Sequence, residues 1–193
     1  ENYTDFANWC ADLVQIVNVD QGRNVVLWEL TNERDEVYDN DNTELGKIFN
    51  ISANACLAVD PSIKVGGPAY ARPDHIYNVS AFMEETKDLL DFFSYHSYPY
   101  GQVPSNQAIF DRALTLGKIT TDLKEELANH STREIEFHHN EYNMSWNPPQ
   151  DQMDNEVMMV FDALVMIDLL NAGTDVGAAW NECDGWFGKM TGS

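Results

Sequence analysis

The 193 residues carry 32 acidic against 11 basic side chains, a formal net charge of −21, within a composition that is 44% hydrophobic. Such a chain has no basic stripe to neutralise phosphates, which excludes nucleic acid and anionic membrane surfaces as partners. Its apolar content can bury a sizeable core, and no apolar run approaches the roughly 18 residues of a membrane span, so no membrane insertion is expected.

From the N-terminus, the spacing predicts a helix over Tyr3 to Asn18, with Thr4 as N-cap and Phe6, Cys10, Leu13 and Val17 on one face. The run NVVLWELT, Asn24 to Thr31, reads as a strand covered on both faces. The acidic stretch holding Asp35, Asp39, Asp41 and Glu44 reads as a solvated loop, because it lacks the glycine turn of a calcium loop. A helix follows from an Asn42 or Thr43 cap through Ala58, with Leu45, Ile48, Ile51, Ala55 and Ala58 inward. The next strand is Ser62 to Gly67, stopped by Pro68, and a helix containing Ala81, Phe82 and Thr86 leads to a strand over Leu89 to His96. Pro99 and Gly101 punctuate its exit. One helix is expected from about Ser105 to Asn129, then a strand from Glu134 to Glu141. A strongly apolar helix over Asp154 to Asn171 ends at Gly173, before a last strand from Asp175 to Trp180.

Five strands separated by helices demand a parallel α/β sheet. A doubly wound nucleotide fold would need a phosphate-binding glycine turn, which VGGPAYARP does not supply. A (β/α)8 TIM barrel instead puts functional residues at strand C-termini, where the unusual polar and aromatic residues fall. A whole barrel takes eight strands, so residues 1–193 are expected to form the C-terminal five βα units, strands 4–8.

The strand ends supply Asn32 and Glu33, then Gly66 to Pro68, then His96 with Tyr98 and Tyr100, then Asn140 to Asn143, then Trp180. Carboxylates, amides, an imidazole and flat rings in one place describe a sugar site: acids cleave the glycosidic bond, amides bind hydroxyls, and rings stack on pyranose faces. Asn-Glu also occurs at Asn155-Glu156 and Asn181-Glu182, and strand context selects the copies at Glu33 and Glu141. Glu29 shares the parity of Glu33 and is expected to point into the barrel in a buried, structural hydrogen-bonding role. Trp180 reads either as a stacking floor or as core, and Tyr98 and Tyr100 either as platforms or as turn aromatics. His138 and His139 are adjacent on a strand and face opposite sides, so joint chelation is not expected, and neither a metal nor a cofactor is called for.

WELTNE, VGGPA, DFFSYHSYP, NEYN and AAW follow the order and approximate spacing of strands four to eight in clan A retaining glycoside hydrolases. The chain most resembles family 39, the β-xylosidases and α-L-iduronidases, and VGGPA and LLDFFSYH are also similar to family 86 agarases. The resemblance implies Glu33 as general acid/base, Asn32 as the ligand of the substrate 2-hydroxyl, and Glu141 as nucleophile. It also implies that His96 orients substrate or nucleophile and that Trp180 floors the subsite of the cleaved sugar. The chain departs from the pattern in three places. Arg34 stands where proline is usual, Thr31 where an aromatic is common, and His138 and His139 precede the second glutamate where apolar or small residues are usual.

Two functional classes follow. One is a retaining glycosidase acting on oligo- or polysaccharides; the alternative is a catalytically silent, glycosidase-derived module that binds glycans or builds an extracellular assembly. Either class implies a carbohydrate ligand and further polypeptide supplying the first barrel strands. Sequons at Asn2, Asn50, Asn78 and Asn129 point to a secreted, extracellular glycoprotein, whereas a fifth at Asn143 lies beside the site and is expected to stay unmodified. Cys10, Cys56 and Cys183 leave one thiol without a partner in the chain, and Cys10 and Cys56, on consecutive helices, are a candidate pair.

Overall fold

The structure is a computed structural model and describes residues 3–38, 42–99, 101, 105–147, 153 and 155–181. Five strands form one sheet in chain order: β1 (Leu27–Glu29), β2 (Lys64–Tyr70), β3 (Phe92–Ser97), β4 (Glu136–Tyr142) and β5 (Val176–Ala179). Helices α1 (Thr4–Val14), α2 (Thr43–Val59), α3 (Ile76–Thr86), α4 (Asn106–Ala113), α5 (Gly117–Ala128) and α6 (Glu156–Ala172) alternate with them. This is the expected partial (β/α)8 barrel. The chain divides into two compact units, Glu1–Ser94 with Glu125–Glu136, and Tyr95–Lys124 with Phe137–Ser193. No described helix is long and apolar enough to cross a membrane.

In the first unit, α1 continues into a π-helical segment, Gln15–Asp20. Thr4 lies inside the helix rather than capping it, and the buried face centres on Ala7, Cys10 and Val14. In α2 the buried face is Leu45, Ile48, Phe49, Ser52, Ala53 and Cys56, so Ile51 and Ala58 turn outward. Cys10 and Cys56 are buried and free, and burial pushes the Cys56 thiol up to about 11. Tyr70, Phe82 and Phe93 pack with ring centroids 5.5 to 6.1 Å apart. Each such buried ring contributes about 1.5–3 kcal/mol of apolar burial.

β1 and β2 are parallel, with Trp28 opposite Val65 and Glu29 opposite Gly66. Pro68 does not end β2, which runs on to Tyr70 through a cis Gly67–Pro68 bond. The glycine pair there has two causes. A β-carbon at Gly66 would lie 2.4 Å from the Phe92 ring, and Gly67 has φ +136°, a conformation reserved for glycine. β1 is shorter than expected and is an outer strand of the sheet, so Val26 and Leu27 remain 53% and 44% exposed rather than covered on both faces. Glu29 is likewise exposed, not buried.

In the second unit, β4 and β5 are parallel. The single helix expected over 105–129 is two. Ser105 caps α4 by accepting from the Ala108 N–H, while α5 starts afresh at Gly117, whose N–H donates to the Asp168 carboxylate at 2.6 Å. A β-carbon at Gly117 would meet the Asp168 carbonyl oxygen, also at 2.6 Å, so the close approach of α6 fixes that break. Asn155 caps α6, and Gly173 closes it at φ +70°. Ile109, Leu116, Met144, Phe161 and Val165 form the core of this unit.

Candidate active site

In the first unit, the chain leaving β1 carries Asn32, Glu33 and Arg34, all exposed. Glu33 adopts φ +51°, left-handed for a residue with a β-carbon, and its N–H donates to the Ala69 carbonyl at 3.0 Å. Ala69, on the exit of β2, is itself left-handed at φ +53°, and its N–H is received by Ser94 Oγ at 2.8 Å. Non-glycine residues held in this region mark segments that their surroundings over-determine, a condition common at functional sites. Asp35 contradicts the solvated-loop expectation: it is 3% exposed, and both its carboxylate oxygens are occupied. Asp39 and Asp41 lie outside the described residues.

In the second unit, two strand ends present their side chains by face. Tyr95 and Ser97 of β3 look toward the helices: Tyr95 OH bonds Thr120 of α5 at 2.5 Å, and its ring stacks on His139 of β4 at 4.6 Å. His96 and Tyr98 therefore face the other way. On β4, Phe137 and His139 share the helix-side face, with Lys124 of α5 over the Phe137 ring. Regular alternation would send Glu141 there too. It does not, because β4 gains one residue against β5: His139 pairs with Gly177, but Tyr142, not Glu141, pairs with Ala179. This bulge rephases the strand. Tyr142 takes the helix side, 6.4 Å from the Phe161 ring, and Glu141 turns to His96 and Tyr98.

Glu141 is 18% exposed; the Tyr98 hydroxyl donates to its Oε1, and His96 Nδ1, on a buried ring, lies 3.8 Å from Oε2. The phenolic O–H bonded to this carboxyl group fixes its orientation. Behind the strands, His139 Nε2 and Ser97 Oγ are 2.8 Å apart in a buried pair. Burial, with His96 nearby, pushes His139 down to about 3, so its ring is neutral. It thus adds no charge behind Glu141.

Asn143 is fully buried: Nδ2 donates to the Trp180 carbonyl, and Oδ1 accepts the Met144 N–H at 2.7 Å. With the Trp180 N–H donating to the Tyr142 carbonyl at 2.8 Å, this residue ties the end of β4 to the end of β5. A cis bond joins Trp180 to Asn181, and Trp180 is 40% exposed. Asn140 is half-buried beside Glu141. Sequence reasoning missed the roles of Asn143, Ser97 and Asp35. NEYN drew attention to its glutamate, and no local pattern announces a bulge or a pairing across strands.

Tyr100, Asn2, Glu182 and Cys183 lie outside the described residues. Of the other glycosylation candidates, Asn129 is exposed at the end of α5, whereas Asn50 already donates its amide to the Glu85 carbonyl at 2.8 Å. Asn78 is buried, with its backbone carbonyl accepting the Tyr70 hydroxyl at 3.0 Å.

A parallel βα chain with acids, amides and rings at its strand ends fits the class of clan A glycoside hydrolases, and the comparisons with known proteins support it. The model of glycosyl hydrolases family 39 matches residues 18–183, and the chain belongs to that family. It is 23% identical to a beta-xylosidase of Caldicellulosiruptor saccharolyticus, over 95% of this chain and 39% of that protein. Among solved structures, it is similar to a family 39 beta-xylosidase from Caulobacter crescentus at TM-score 0.70 and 17% identity, over 98% of this chain and 44% of that one. It is also similar to a family 44 xyloglucanase from Paenibacillus polymyxa at TM-score 0.70 and 16% identity, over 92% and 47% respectively. The chain thus spans roughly two-fifths of the length of its family 39 relatives.

Proposed function

We propose that the protein containing this chain is a retaining glycosidase that hydrolyses O-glycosidic bonds of oligo- or polysaccharides by double displacement. The observation that carries this reading is the orientation of Glu141 by the Tyr98 hydroxyl beside the buried His96 ring, at the C-terminal end of a parallel strand. A Glu141 oxygen attacks the anomeric carbon while Glu33 gives its proton to the leaving oxygen, forming a glycosyl ester. Glu33, now ionised, takes a proton from water as that water attacks the same carbon and releases Glu141, with net retention. The scheme requires carboxyl groups about 5–5.5 Å apart. Asn32 and Asn140 bind sugar hydroxyls, and Trp180 stacks under the sugar being cleaved. Further polypeptide completes the barrel, and the sequons support a secreted glycoprotein, with Asn129 as its most accessible acceptor.

The C. saccharolyticus relative makes aryl β-xylosides the first substrates to test, followed by other aryl β-glycosides and plant or algal polysaccharides. Full-length protein should turn over at least one of them, with the anomeric configuration of the product retained, and Glu141→Gln should abolish turnover. Inverted product rejects the mechanism. No turnover on any substrate, with glycan binding kept, returns the silent-module reading.

A further inference from the structure

The exposed loop that carries Glu33 is anchored two residues later by a carboxylate with almost no contact with solvent. Asp35 Oδ1 accepts the Ala71 N–H at 3.0 Å, and Oδ2 accepts the Arg72 N–H at 2.9 Å, so one side chain binds two consecutive amides just beyond β2. Hydrogen bonds from neutral amides to an ionised acceptor are among the stronger ones, and loss of a buried acceptor leaves its donors unsatisfied. A second fastening supports the first. Asn42 Nδ2 donates to the carbonyls of Asp35 at 3.3 Å and Tyr38 at 2.9 Å, while Asn42 Oδ1 accepts the hydroxyl of fully buried Tyr70. The loop after β1 and the exit of β2 are thereby locked together at Asp35.

What lies on the near side of that lock is the strained pair. Glu33 at φ +51° and Ala69 at φ +53° face each other through the Glu33 N–H bond to the Ala69 carbonyl. Neither residue gains from a left-handed backbone on its own, and each returns to the right-handed or extended region once nothing opposes it. Such a return at Glu33 swings its Cα–Cβ direction and carries the carboxyl away from its present position. We propose that Asp35 is a positioning residue: it clamps the loop after β1 onto the exit of β2 and so keeps the Glu33 carboxyl aimed as general acid/base. This inference rests on the reading of Glu33 given above.

A residue that acts through the acid/base leaves a kinetic signature that a merely structural one does not. Acid assistance matters for poor leaving groups and hardly at all for activated ones. In the full-length protein, Asp35→Ala should lower kcat/KM on phenyl glycosides about 100-fold, as expected for a misplacement of about 1 Å, while 2,4-dinitrophenyl glycosides lose no more than about 3-fold. Asp35→Asn is isosteric and keeps one acceptor oxygen; it should fall between parent and Asp35→Ala, and it carries the test where the alanine variant does not fold. Amide hydrogen exchange gives a readout independent of turnover. The Glu33 amide should exchange at least about tenfold faster in the variant, while the Leu30 amide, bonded to the Gly66 carbonyl at 3.2 Å, keeps its parent rate. Equal losses on both leaving groups, with unchanged exchange at Glu33, overturn the clamp. If the parent cleaves no glycoside but exchange at Glu33 still rises, the clamp stands as a backbone device and the catalytic reading of Glu33 falls.

Discussion

At the scale of the residue, the second unit sets the Glu141 carboxyl in front of β3 and β4 and a neutral imidazole behind them. Tyr98→Phe removes the hydroxyl that donates to Glu141 Oε1 and keeps the ring. A hydrogen bond to a charged group is worth about 1.5–3 kcal/mol, so kcat/KM should fall by about 10- to 100-fold. An unchanged kcat/KM would remove Tyr98 from the site. His139 makes a prediction about acid. Its folded-state pKa is depressed from 6.5 to about 3, so between those values the unfolded chain binds a proton that the folded ring refuses. Stability contributed by this group is therefore present above about pH 6.5 and declines on acidification, by about 1.4 kcal/mol per pH unit until about pH 3. His139→Gln can keep a hydrogen bond to Ser97 without titrating, so urea midpoints measured from about pH 6.5 down to about pH 4 should fall less steeply than in the parent. Parallel slopes would show that His139 does not govern this window.

At the scale of the element, the sequence was most legible where periodicity and caps act within a few residues. Helices α2, α3 and α6 lie where the apolar spacing puts them, and Gly173 ends α6 as expected because it supplies the left-handed turn. Strand ends were less legible. Pro68 reads as a stop, yet β2 continues beyond it, since Ser94 and Glu33 supply the polar partners that Ala69 needs. The glycine pair of VGGPA was visible, but its causes lie far along the chain, in Phe92 for Gly66. Gly66→Ala forces its new β-carbon against that ring and should cost about 1–3 kcal/mol, read as a lowered urea midpoint of the full-length protein with little change in m-value. A variant as stable as the parent would mean that the ring can yield.

At the scale of the whole molecule, large apolar side chains remain exposed in both units. In the first unit these are Val26 and Leu27 at the start of the outer strand β1, and in the second they are Met159, Met166, Ile167 and Leu170 on α6, with Met159 74% exposed. Exposed apolar groups on this scale mark contact surfaces rather than a finished exterior. Residues 1–193 expressed alone should therefore bind a dye that fluoresces on apolar surface, and the full-length protein should bind much less of it. Equal binding by both would show that these faces are not covered in the complete protein.

Alternation of apolar strands with amphipathic helices, the acids and rings at the strand ends, and the acidic surface charge were all decided by the sequence, because each depends on residue type and short-range period. Tertiary structure decided which way those groups point. The bulge that turns Glu141 toward Tyr98 and His96 needs the register of β4 against β5, and the burial of Asp35 needs amides 36 and 37 residues away. A side chain's direction is set by the partners that satisfy its backbone and its charge, and those partners are brought together only when the chain folds.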